Sequence, residues 1–257
     1  MVIGMHVVHD GPAGAPPLLL VHGTGATGGT WAPLVAGLAT GHHVIRVDLP
    51  GCGRSPAAVT YDVPAQAGRV AAVLDELGLR DVAVAGHSSG GYVATALAEH
   101  RPDLVASLTL ISTGPALDAL FPQPVVLRVL LRPPFGPLLW RWRTDTVTRR
   151  ALAATAAGPV DLPDEVVADL RGQDYRTFRA IEAGYTAYLA ERSIPERLGA
   201  LGVPLLVLFG DADPRWDPAS AQRYRTVPGA RIEMLAGVGH LPMFEAPGKL
   251  LAGLCAA

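Results

Sequence analysis

The chain has 257 residues, 49% of them hydrophobic and 17% charged, with a formal net charge of −2. That is enough apolar material for one large packed core, and no global field singles out nucleic acid or an anionic membrane surface. Two cysteines, Cys52 and Cys255, are too few for a disulfide framework, no group has zinc-ligand spacing, and Lys249 is the only lysine.

The first ten residues, Met1 to Asp10, lack the basic start and apolar stretch of a secretory signal. No apolar run reaches the roughly 18 residues of a membrane span. The expectation is therefore a soluble, cytoplasmic protein with no nucleic-acid or membrane partner. Oligomeric state is not encoded in these features.

Leu18 to His22 is a continuous apolar run between Pro16-Pro17 and Gly23, the pattern of a parallel strand buried on both faces. The space before it accommodates one further strand. A loop with four glycines, His22 to Trp31, follows; its glycines allow close backbone approach to a ligand, and Thr30 is placed to cap the next helix. His43 to Asp48 reads as another strand, closed by Leu49-Pro-Gly-Cys-Gly-Arg-Ser-Pro56. Arg54 and Ser55 there read as loop-holding residues, and Cys52 as structural. Behind Asp62, the residues Ala67, Val70, Ala71, Leu74 and Leu77 recur at helical spacing, and Gly78 supplies a stop.

The stretch from Asp81 to His100 joins a short apolar run to an Ala-rich helical run through Gly86-His87-Ser88-Ser89-Gly90. This is the G-x-S-x-G pattern of a sharp strand-to-helix turn, which holds a serine oxygen out at the top of a sheet. Ala94, Ala96 and Ala98 leave the helix little bulk, permitting close packing. Val105 to Ser112 is the next strand, so strand and helix alternate as in a parallel α/β sheet. From Thr113 to about Gly202 the alternation breaks into helical patches with many prolines and no convincing strand. It resumes with strands at Val203 to Gly210 and Arg231 to Leu235, a short helical run through Tyr224, and a final helix from Pro247 to Cys255.

Ser88, Asp213 and His240 each fall just beyond the end of an expected strand, the edge where open parallel sheets bind ligands. Their chain order is Ser, Asp, His. Asp211 and Asp217 share the loop of Asp213, so the residues alone leave the acid open. Together, His22-Gly23, Asp48 to Ser55, Gly86 to Gly90, Gly210-Asp-Ala-Asp213 and Gly239-His240 resemble the α/β-hydrolase superfamily over nearly the whole chain.

The resemblance implies an α/β-hydrolase fold, a mostly parallel sheet flanked by helices. Residues 1–113 and 203–257 would form its core, and 114–202 a helical cap insertion. It assigns Ser88 as nucleophile, His240 as general base and acid, and Asp213 as the acid that orients His240. The amides of Thr24 and Ser89 become the oxyanion-hole donors. Some superfamily members carry the acid after the preceding strand, where Asp118 is the nearest candidate. Asp211 would then cap its loop and Asp217 the short helix. Serine at the elbow argues against the dehalogenase and epoxide-hydrolase members, which use aspartate there.

The implied function is a serine hydrolase without cofactor or metal, cleaving an ester, lactone, thioester or activated C–C bond of a small-molecule organic substrate, its partner, through an acyl-enzyme. A lyase, acyl transfer or cofactor-free oxygenation on the same scaffold is the alternative, as is a ligand-binding protein with little turnover. His22 and His87 are expected to hydrogen-bond loop backbone around the site. In the insertion Arg128, Arg132, Arg141, Arg143, Arg149 and Arg150 are interleaved with Trp140 and Trp142. They read as a solvated face or, in the sharper reading, as holders of an anionic substrate beside an aromatic pocket. Trp31 and Trp216 read equally as pocket or packing residues.

Overall fold

The computed structural model describes residues 4–122 and 124–256, the side chains of Leu127 and Arg128 excepted. Among them, seven strands form one sheet: β1 (Val7–Asp10), β2 (Pro17–Val21), β3 (His43–Val47), β4 (Val82–His87), β5 (Val105–Ile111), β6 (Leu205–Gly210) and β7 (Arg231–Leu235). Their spatial order is β1-β3-β2-β4-β5-β6-β7. Every pairing is parallel except β1 with β3. The single strand before β2 is thus an antiparallel edge, which needs no crossover helix.

The apolar runs are unbroken because both faces of the sheet are covered. Leu19 and Val21 of β2 point into one core and Leu18 and Leu20 into the other. Helices α2 (Val63–Glu76) and α3 (Ser89–His100) pack in the first core, and α1 (Ala32–Leu38) and the last helix, α11 (Pro247–Cys255), in the second. Ala94, Ala96 and Ala98 of α3 are buried, as close helix–sheet packing requires. Asp62 caps α2 by accepting the Ala65 amide, and Gly78 leaves it at φ 65°.

Two local expectations are corrected. Thr27, not Thr30, is the capping residue: its hydroxyl accepts the Gly29 amide at the head of a 3-10 turn, Gly28–Trp31, from which α1 continues. The run through Tyr224 is a 3-10 helix, Pro218–Thr226, capped by Asp217 as expected.

Between β5 and β6 the described chain is helical: α4 (Val125–Leu130), α5 (Phe135–Arg141), α6 (Asp145–Ala153), α7 (Asp164–Gly172), α8 (Tyr175–Glu191) and α9 (Ile194–Leu198). A lone bridge between Leu120 and Trp216 is its only sheet-like pairing. A short α10 (Pro242–Glu245) precedes α11. Among the described residues no helix is long and apolar enough to cross a membrane.

Candidate active site

Four loops leave the same edge of the sheet, after β2, β4, β6 and β7, and bring Thr24, Ser88, Asp213 and His240 together. Ser88 occupies φ 52°, ψ −122° between β4 and α3, a left-handed-side backbone that an L residue adopts only when its surroundings enforce it. The enforcement is visible at both flanking glycines. A Cβ on Gly86 would lie 2.6 Å from the Gly90 carbonyl oxygen, and one on Gly90 would lie 2.4 Å from the carbonyl oxygens of Val21 and His22. The Ser88 amide is anchored on the Ile111 carbonyl at 2.8 Å.

His240 Nε2 lies 3.0 Å from Ser88 Oγ, and its Nδ1 lies 2.7 Å from Asp213 Oδ2. All three residues are buried. Because a carboxylate only accepts, Nδ1 carries the proton and Nε2 is the acceptor for the serine hydroxyl. The second carboxylate oxygen, Asp213 Oδ1, accepts the amides of Arg215 and Trp216 at 2.8 and 3.1 Å, which fixes the plane of the carboxylate. The rival acids do other work. Asp118 forms a surface ion pair with Arg223, Asp211 accepts the Gly237 amide, and Asp217 caps the 3-10 helix.

Thr24 and Ser89 meet through their hydroxyls, 2.8 Å apart. Among the described residues neither backbone amide donates to a protein acceptor, and Thr24 lines the cavity above Ser88. Asp48 ties down the loop that carries Thr24, accepting the amides of Gly28 and Arg54 on its two oxygens. Ser55 accepts the His6 amide and donates to the Asp48 carbonyl, the loop-holding role expected of it.

The two neighbouring histidines bond backbone, as expected. His22 accepts the Leu49 amide on Nε2 and donates from Nδ1 to the Gly23 carbonyl. His87 donates from Nε2 to the carbonyl of His240. Burial holds His22 below the usual imidazole range. Burial, reinforced by the neighbouring His240, holds His87 at about 3, so it stays neutral. Burial also pushes the Cys52 thiol up to about 12, which suits a structural residue hydrogen-bonded by Gln173 rather than a nucleophile.

Over Ser88 and His240 lies a cavity of about 130 Å³. Its apolar lining includes Ala26, Leu152, Val166, Leu170, Phe178 and Phe244, and one part of it is charged, with Glu182 and Arg215. Arg215 donates to the Tyr185 hydroxyl at 3.1 Å, and that hydroxyl donates to Glu182 at 3.4 Å, so the two charges are bridged within the wall. Of the insertion arginines read as a solvated face or as holders of an anionic substrate, those with described side chains do not line this cavity. Arg143 is spent on the carbonyls of Trp140, Leu170, Arg171 and Gln173, and Arg149 bonds Leu162 and Asp164. Arg132, Arg141 and Arg150 are exposed, and the Arg128 side chain lies outside the described residues. The aromatic residues of the cavity are Phe178 and Phe244. Trp140 packs behind Phe178, Trp142 is exposed, and Trp31 and Trp216 are wholly buried packing residues.

Three site residues have no motif to announce them: Glu182, Arg215 and Glu245. The Glu245 carboxylate accepts the amides of Gly239 and Leu241, either side of His240, and of Ala157 from the helical segment, each at 2.8 Å.

Residues 18–254 match the family described as Alpha/beta hydrolase family. The chain is 32% identical over 246 residues to the pimeloyl-[acyl-carrier protein] methyl ester esterase of Aeromonas hydrophila, covering 92% of each. It is 37% identical over 169 residues to lipase LipV of Mycobacterium tuberculosis, covering 63% of this chain and 59% of that protein. The crystal structure of the enol-lactonase from Burkholderia xenovorans superposes with a TM-score of 0.74 at 24% identity, over 98% of this chain and 95% of the other.

Proposed function

The chain belongs to the alpha/beta hydrolase family, and on that premise we propose that it is a serine hydrolase cleaving an ester or lactone of a small organic substrate. The observation that carries this reading is the unbroken relay from Ser88 Oγ through His240 to buried Asp213, set directly beneath the cavity. Relatives named as a methyl ester esterase and a lipase support ester cleavage over the other reactions the fold hosts.

In this mechanism His240 Nε2 takes the Ser88 proton as Oγ attacks the substrate carbonyl carbon. The carbonyl oxygen becomes an oxyanion that the Thr24 and Ser89 amides stabilise. Collapse expels the alcohol, which receives its proton from His240, and leaves an acyl-enzyme. Water, deprotonated by His240, then attacks the acyl carbonyl, and the returned proton frees Ser88. Asp213 keeps the proton on Nδ1 and stabilises the imidazolium.

Residues 114–202 act as the cap in this reading, over a core of 1–113 and 203–257. Leu152, Val166, Leu170 and Phe178 reach into the cavity from that segment, which supports the assignment. A cavity of about 130 Å³ is comparable to one that holds a benzene ring, so one short acyl or aryl group fits it. A panel of p-nitrophenyl esters tests the reading. Turnover should fall by about 10⁶-fold in Ser88→Ala, and equal turnover by both proteins would overturn it.

A further inference from the structure

Residues 121–147 of the helical segment present an apolar surface to solvent. Among the described residues every exposed large apolar side chain except Val59 and Leu77 lies between Phe121 and Val147. On α5 and the residue after it, Phe135, Leu138, Leu139 and Trp142 follow the i, i+3, i+4, i+7 spacing of one helix stripe, and all four are exposed, Trp142 at 72%. The inward side of the same helix is already committed: Trp140 packs on Phe178 of α8 with ring centroids 4.5 Å apart and donates to the Gln173 carbonyl, and Gly136 is buried. α4, packed beside α5, exposes Val125, Val126, Val129 and Leu130. A stripe of this kind normally faces a protein core; here it faces outward, and an apolar patch of this breadth marks a surface that meets something.

Charge identifies the partner. Residues 121–150 carry six arginines against one aspartate, so this stretch is +5 while the rest of the chain is −7. The overall −2, on which the expectation of no membrane partner rests, averages these two opposite regions. Arg132 and Arg141 stand exposed beside the stripe. Apolar side chains flanked by arginines that can extend to headgroups are the chemistry of an interfacial anchor on an anionic bilayer. A symmetric contact with a second copy would set the exposed arginines of this face against their own counterparts. Nucleic acid would leave the valines and leucines without a stacking role.

We propose that the α4–α5 face docks the protein peripherally on an anionic lipid surface, with Phe135, Leu138, Leu139 and Trp142 entering the acyl boundary and Arg132 and Arg141 meeting the phosphates. Docking rests on this face and not on Ser88. The experiment is flotation of the full chain with vesicles of phosphatidylcholine alone or mixed with phosphatidylglycerol, with tryptophan emission read in parallel and compared with Trp142→Phe. Binding should require phosphatidylglycerol, weaken with salt and blue-shift the emission. Leu138→Asp with Trp142→Asp should lower partition at least about tenfold, and Arg132→Gln or Arg141→Gln each about fivefold. Ser88→Ala should float like the wild type, and the surface variants should retain turnover of a water-soluble ester, which reports that they fold. Three results overturn the proposal: no flotation with phosphatidylglycerol, flotation unchanged in the aspartate variant, or a concentration-dependent oligomer in solution that this variant abolishes.

Discussion

Glu245 brackets His240: its two carboxylate oxygens accept the amides of Gly239 and Leu241 on either side of the histidine, each at 2.8 Å. One of those oxygens also accepts the Ala157 amide from the helical segment. The His240 amide donates to the Thr155 carbonyl of that segment at 2.9 Å. The ring is therefore aimed at Ser88 by a loop whose backbone donors are held by one charged acceptor, and charge-assisted bonds of this kind are stronger than neutral ones.

In the proposed mechanism Glu245 touches no reacting atom and positions His240 through the amides on either side of it. Glu245→Ala should lower kcat about tenfold while leaving KM within about twofold, because misaiming the base affects the chemical step more than binding. Glu245→Gln, which keeps one acceptor oxygen, should recover part of the loss. Steady-state kinetics on a p-nitrophenyl ester decide it; a rise in KM with kcat unchanged would place Glu245 in substrate binding instead.

Asp213 and Asp118 make opposite predictions as the acid. Asp213→Asn should cost about 10⁴ in kcat by favouring the wrong His240 tautomer. Asp118→Asn should stay within about twofold, since its carboxylate is engaged with Arg223 at the surface. Comparable losses in the two variants would contradict the assignment.

His87 gives the fold a pH dependence. It is held at about 3 when folded, against the ordinary 6.5, chiefly by burial. Between those values the unfolded chain binds a proton that the folded chain refuses, so stability rises with pH through this window and is fully present above 6.5. Acidification from 6.5 to about pH 5 should cost about 2 kcal/mol, at roughly 1.4 kcal/mol per pH unit. His22, also lowered by burial, adds in the same direction. Urea unfolding of the wild type and His87→Gln at about pH 7 and pH 5 measures this. The variant should lose about 2 kcal/mol less over that interval, and an identical loss would refute the role.

The strands were legible because β2, β4, β5 and β6 are buried on both faces and so read as continuous apolar runs between glycines and prolines. The positions of Ser88 and His240 at strand ends were legible from their glycine-flanked loops, whereas Asp213 was separated from Asp211 and Asp217 only by the family resemblance, since three aspartates share one loop. Thr27 escaped in favour of Thr30 because both are threonines in one loop, and a 3-10 turn moved the start of the helix back. Glu245, Glu182 and Arg215 escaped for a different reason: each acts through tertiary neighbours, and no local pattern distinguishes a glutamate that accepts three amides from one in water. The outward stripe of α5 was hidden by the same limit, since spacing identifies an apolar face without saying what covers it.

Ser88 is the proposed nucleophile, and covalent labelling by a p-nitrophenyl phosphonate reads its reactivity at the residue itself. One phosphonyl group per chain is expected, mapped to Ser88 by peptide mass, with ester turnover lost in proportion to labelling and no adduct on Ser88→Ala. Full turnover by a stoichiometrically labelled enzyme, or an adduct that maps elsewhere, would contradict it.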